Sequence, residues 1–108
     1  MTTEADLMRA IQVAISQQGH RVFRNNIGSL KDALGRWVRF GVANPGGSDL
    51  IGFTSTGRFL AIEVKTEKGT VRPEQVSFIA LVRKFGGYAG IARTVDQAKD
   101  IANGTHHD

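Results

Sequence analysis

Two acids and a lysine are the residues of this chain best placed to do chemistry. Asp49 precedes one short apolar run, Glu63 and Lys65 close another, and Ser55-Thr56-Gly57 lies between the runs as a turn signal. Strand, short glycine-containing turn and strand is the pattern of a hairpin with a three-residue loop. With Thr54 facing Arg58, counting outward pairs Phe53 with Phe59, Ile51 with Ala61 and Asp49 with Glu63. Side chains alternate along a strand, so Lys65 shares the face of Glu63. Opposed carboxylates destabilise a sheet, so this end of the hairpin needs a cation, either Lys65 itself or a divalent metal. A slip of one residue in the turn would separate the two acids. Taken singly, each residue has a plainer reading: Asp49 caps a turn, and Glu63 and Lys65 are an exposed strand pair. Their focus at one point favours a site.

The rest of the chain must hold that hairpin. Thr3 with Asp6 resembles a capping box, and Leu7, Ala10, Ile11, Ala14 and Ile15 follow at helical spacing up to Gly19. Glu4 sits in the first turn of this helix, where the dipole favours an acid. R-V-F-R at residues 21–24 alternates as a strand, residues 25–35 read as a polar connection, and residues 36–42 alternate again. Trp37 in that last run suits base stacking, although a buried or half-buried strand aromatic is the commoner outcome. Pro45-Gly46-Gly47 enforces a loop, and no Gly-Lys-Ser/Thr follows to make it a phosphate loop.

Both faces of the hairpin are apolar, which predicts a sheet covered on both sides. Pro73 opens a helix with a wide apolar face from Val76 to Phe85, and Gln75 points inward at its start, where it needs a partner. Residues 88–92 read as a strand, and Thr94 caps a last helix through Ala102. A helix between Lys65 and Tyr88 permits a parallel crossover. The predicted fold is therefore α/β: a mixed central β-sheet with the hairpin central, flanked by helices, in the core order α-β-β-β-α-β.

Length and charge bound the partners. The 108 residues suit one domain. The net charge is +4, and between His20 and Val42 the bases Arg21, Arg24, Lys31, Arg36 and Arg39 meet a single acid, Asp32. Such a balance suits a nucleic-acid backbone, or simply a basic surface. The absence of cysteine excludes disulfides and thiolate chemistry. No signal peptide or membrane span is expected, which suits a cytoplasmic protein. His20 stands alone, and the adjacent His106 and His107 fall in a tail expected to fray.

The ordered set of motifs resembles the VRR-NUC branch of the PD-(D/E)XK nuclease superfamily, the type found as stand-alone viral and bacterial proteins. The resemblance is carried by Glu4, by R-N-N at residues 24–26, by G-x-x-x-P-G-G-S-D-L-I-G at residues 41–52, by G-R-F-L-A-I-E-V-K at residues 57–65, by R-P-E-Q at residues 72–75 and by G-G-Y-A at residues 86–89. One position departs: Ser48 stands where the family usually has proline directly before the aspartate.

This resemblance implies a restriction-endonuclease-like core spanning residues 1–108 and metal-dependent hydrolysis of DNA phosphodiesters. Asp49, Glu63 and the Val64 carbonyl would bind Mg²⁺ or Mn²⁺, with no organic cofactor. Lys65 would orient the attacking water, Gln75 would hold Lys65 or the phosphate, and Glu4 would support a second metal or its water shell. Arg21, Arg24, Asn26, Arg36, Arg39 and Ser48 would contact DNA. It further implies a homodimer that cuts branched DNA such as Holliday junctions in a bacterial or virus-infected cell. Two alternatives stand beside it: an inert module gripping phosphates through Arg21, Arg24, Arg36 and Arg39, and an assembly subunit presenting Trp37 and Phe40.

Overall fold

The computed structural model describes residues 2–106. His107, with the end of the expected tail, lies outside the described residues. Helix α1 (Glu4–Gln17) begins as its sequence predicts: the Thr3 hydroxyl accepts from the Asp6 N–H at 3.1 Å, and the Asp6 carboxylate accepts from the Thr3 N–H in return. Leu7, Met8, Ile11, Ala14 and Ile15 form its buried stripe. Met8, rather than the expected Ala10, completes that stripe.

Strands β1 (Arg21–Arg24), β4 (Leu50–Phe53), β5 (Phe59–Val64) and β6 (Tyr88–Ala92) form one sheet in the order β1-β4-β5-β6. The β4–β5 hairpin is central and antiparallel, and β6 runs parallel to β5 after the crossover through α2 (Pro73–Lys84). The sheet is mixed and flanked by helices, as expected of a restriction-endonuclease-like core. Helices α1 and α3 (Val95–Ala102) cover one face. There Ile11, Ile15, Leu50, Leu60, Ile62, Val64 and Ile101 are fully buried. Helix α2 covers part of the other face, over Ala61 and Ala89.

Two expectations about burial fail. The second face of the main sheet is only partly roofed. Helix α2 buries Gln75, Ile79 and Val82 but leaves Val76 and Leu81 exposed and Phe85 80 % exposed, so its predicted wide apolar face narrows to one stripe. The stretch read as a polar connection contains strand β2 (Gly28–Lys31), which pairs with β3 (Trp37–Phe40) as a separate two-stranded ribbon. Trp37 on that ribbon is 69 % exposed, against the expectation of burial. Among the described residues no helix is long and apolar enough to cross a membrane.

His20 is not alone either. Its Nδ1 accepts the Ser55 N–H at 3.0 Å, and its Nε2 meets Asn103 Oδ1 at 3.0 Å. The ring ties the hairpin turn to the end of α3, which gives it a structural occupation.

Candidate active site

The turn at Ser55-Thr56-Gly57 fixes the register on which the site depends. Thr54 N–H donates to the Arg58 carbonyl at 2.8 Å, and Gly57 takes φ +86°, a conformation that glycine adopts without a Cβ penalty. Phe53 then pairs with Phe59 and Ile51 with Ala61, as counted from the sequence. Continuing the ladder brings Asp49 to Glu63, both on the face that carries α2.

Asp49 is held from two sides. Its carboxylate accepts the Val64 N–H at 2.9 Å, and its own carbonyl accepts the Asn25 N–H at 2.8 Å. The Asn25 side chain does more: its amide donates to the Val42 and Ser48 carbonyls and its oxygen accepts the Val42 N–H. It staples both ends of the glycine loop to the end of β1. Gly47 packs into this staple so closely that a Cβ there would fall 2.0 Å from the Val42 oxygen. Asn25 is thus a positioning residue that the sequence reading passed over, although R-N-N was its visible trace.

Glu63 is 1 % exposed. Gln75 Nε2 donates to its Oε2 at 2.8 Å, while its Oε1 is buried without a hydrogen-bond partner among the described residues. Burial, and then the neighbouring Asp49 carboxylate, pushes the Glu63 carboxyl up to about 8 from its ordinary 4.5, with the Lys65 charge pulling the other way. Gln75 itself is anchored, since its Oε1 accepts the Arg72 N–H at 3.0 Å at the start of α2. Gln75 therefore points inward as expected but grips Glu63, rather than Lys65. Gln75→Ala strands both the Glu63 oxygen and the Arg72 N–H. It is expected to lower stability by about 1–3 kcal/mol, read as a shift of the urea midpoint; an unchanged midpoint would show that the bond is idle.

These residues open onto a cleft of 560 Å³ whose lining includes Asp49, Glu63, Gln75, Arg24, Asn26 and Arg72. Arg72, from the R-P-E-Q motif, was not expected among the DNA contacts. Other expected residues stand elsewhere. Arg21 faces Phe53 across the sheet, and Arg36 and Arg39 belong to the ribbon. Ser48, expected to touch DNA, is instead buried at 1 % exposure and presents no hydroxyl to the cleft surface. Lys65 is half-buried, donates its N–H to the Ala92 carbonyl, and lies close enough to act on the Glu63 charge. Glu4 is exposed in the first turn of α1. Among the described residues no three Asp, Glu or His side chains gather as a metal-binding group, so Glu4 does not join the other acids.

The donor set fits one hard cation. Two carboxylates meet at one point, and one oxygen of Glu63 is buried without a hydrogen-bond partner among the described residues. Such an oxygen costs free energy until a proton or a metal reaches it. Mg²⁺ and Mn²⁺ take oxygen ligands and commonly need only one or two carboxylates, with water and substrate phosphate completing the shell.

No curated protein and no solved structure matches the chain. The VRR-NUC domain family model matches residues 5–96, a stretch that contains Asp49, Glu63, Lys65 and Gln75 and ends just inside α3. With this match over most of its length, and with the acids, lysine and glutamine on the elements described, the chain belongs to the VRR-NUC domain family of nucleases.

Proposed function

We propose that residues 1–108 form one nuclease domain that hydrolyses phosphodiesters of branched DNA, Holliday junctions included, with the help of Mg²⁺ or Mn²⁺. The observation that carries the metal dependence is Glu63: a sealed carboxylate with an orphaned oxygen, set against Asp49 at the floor of an arginine-lined cleft. Asp49, Glu63 and the Val64 carbonyl would hold the ion. When bound, it would supply Lewis-acid polarisation of the phosphoryl oxygen and a more acidic water.

The chain's own groups do the rest. Gln75 holds Glu63 in one rotamer. Lys65 places a positive charge where negative charge grows on the phosphate and orients the attacking water. Arg24, Asn26 and Arg72 position the DNA backbone, which fixes orientation without reading bases. No covalent intermediate is required. Glu4, exposed and apart from the other acids, has no part in a single-ion site.

We also infer a homodimer acting in the cytoplasm of a bacterial or virus-infected cell. Two symmetric strands of a junction call for two symmetric cuts, which a two-fold dimer supplies. The aromatic patch of Phe23, Phe53 and Phe59, left bare beside α2, offers apolar surface for such a contact, with the Phe23 and Phe53 rings 6.3 Å apart. A cysteine-free chain suits a reducing compartment.

The test is cleavage of a four-way junction, a splayed arm and a plain duplex in Mg²⁺, Mn²⁺ or EDTA. Cutting is expected with either metal, strongest on the branched substrates. Lys65→Ala should lower the rate by about 10²–10³-fold while leaving DNA binding in place. Cutting that persists in EDTA would sink the metal mechanism. Junction binding without cutting would make the chain a binding module.

A further inference from the structure

The β2–β3 ribbon has two chemically different faces. Directly opposed residues of an antiparallel pair share a face. Ser29 with Arg39 and Lys31 with Trp37 therefore make one face, and Leu30 with Val38 and Gly28 with Phe40 make the other. The first face is cationic and carries the chain's single tryptophan. Lys31 Nζ lies 5.3 Å from the centre of the Trp37 ring, yet the residue remains 69 % exposed. The ribbon's one acid, Asp32, is consumed locally. It takes the Arg36 guanidinium at 2.7 Å and accepts the Leu34 and Arg36 N–H groups, so it does not oppose Lys31 and Arg39.

The base of the ribbon leads into the site. Ser29, on the cationic face, lines the cleft that holds Asp49 and Glu63, as do Gly28 and Phe40 from the other face. Asn44, in the glycine loop, donates to the Gly28 and Phe40 carbonyls at 2.8 and 3.0 Å and so fixes the base of the ribbon to that loop. Lys31 and Trp37 stand two residues further out than Ser29, about 7 Å along the strand. That is a step of one or two nucleotides from the cleft rim.

We propose that this face is a stacking site for an unpaired base beside the cut, with Trp37 as the platform and Lys31 and Arg39 on the flanking phosphates. The inference rests on the nuclease reading of the same cleft and names its substrate class: DNA with unstacked bases next to the scissile bond, as at a branch point or a single-strand to double-strand junction. A base in closed duplex has both faces covered by its neighbours and cannot use the ring. An exposed aromatic flanked by two cations is what single-stranded recognition employs, since every base offers a π-face and every link a phosphate. The charge of the face favours DNA over a second copy of this basic chain.

Because Trp37 is the only tryptophan, its fluorescence reports on this site alone. The experiment titrates the protein in EDTA with a labelled splayed arm and a labelled closed duplex. Binding is followed by anisotropy and stacking by tryptophan emission. Saturation with the splayed arm is expected to quench the emission, and closed duplex to leave it nearly unchanged. Trp37→Ala should weaken the splayed arm about tenfold and the duplex by less than about twofold, with Trp37→Phe recovering most of the loss. The side chain is exposed, so these variants keep the fold, and circular dichroism checks it.

Emission unmoved at saturation, equal losses on both DNAs, or no DNA binding in EDTA would each overturn the proposal. So would an emission shift that follows protein concentration without DNA, which would identify the ribbon as a contact between copies. Stacking in EDTA with no cutting in metal would instead leave this proposal standing and remove the nuclease reading.

Discussion

Glu63→Gln is expected to abolish cleavage and, in the same molecule, to raise the melting temperature of the metal-free protein. The side chain is sealed, one of its oxygens has no hydrogen-bond partner among the described residues, and Asp49 lies against it. Its carboxyl titrates near 8 in the fold against an ordinary 4.5. The native state therefore holds a proton that the unfolded chain releases. Stability from this proton is complete below the ordinary value and is lost as pH rises through the folded value. Across that window the loss is on the order of 5 kcal/mol.

Glutamine keeps the shape, still accepts from Gln75 and never ionises. The gain over the parent should vanish below about pH 4.5 and reach roughly 20 °C at pH 8.5 in EDTA. Cleavage should fall by about a thousandfold or more, since a metal-holding carboxylate and its transition-state charge stabilisation go together. Thermal melts at pH 5.5 and 8.5, with cleavage assays beside them, check both halves. A melting difference that ignores pH would show that ionisation of Glu63 is not what the fold resists.

The second large effect is on metal uptake. A carboxyl that carries a proton must release it before it can hold an ion, so uptake and deprotonation are coupled. Apparent affinity for Mg²⁺ or Mn²⁺ is expected to rise about tenfold per pH unit between pH 6 and 8, roughly a hundredfold in all, and to level off above. Titration calorimetry in two buffers of different ionisation enthalpy should find close to one proton released per ion near pH 6.5. At saturating metal the stability profile should also turn over. The metal-free protein weakens as pH rises, whereas an ion at a hundred times its dissociation constant adds about 2.7 kcal/mol where its affinity is highest. An affinity independent of pH would remove Glu63 from the ion's shell.

The hairpin was legible in the sequence because each side chain in it obeys a strict alternation and because Gly57 marks the turn. Counting from Thr54 and Arg58 then places Asp49 beside Glu63 with no further information. The helix starts were legible through local chemistry, Thr3 with Asp6, Pro73, and Thr94, whose hydroxyl accepts the Gln97 N–H. The ribbon was not legible. Its first strand buries nothing in the body of the molecule, so no hydrophobic period announces it, and Trp37 lacks the core that an aromatic usually signals.

The partner of Gln75 was equally hidden. Helical spacing shows that a side chain points inward, but only the crossing of α2 over β5 decides whether it meets Glu63 or Lys65. Asn25 was missed for a related reason. Its bonds reach across seventeen residues to Val42, and nothing local distinguishes it from Asn26 beside it.

The strand order carries a consequence for how the molecule assembles. Asp49 and Glu63 share one hairpin, a unit that closes on the microsecond scale. Asn25 must arrive with β1, and β6 must return to β5 after α2 has formed. These longer closures cost more chain entropy and come later. When the acids first meet they are still hydrated and their repulsion is weak. Only when the helix carrying Gln75 seals the cleft does Glu63 lose its water and take up its proton. The unfavourable part of the site is thus expected to belong to the last step of folding, and to be relieved by the first step of opening.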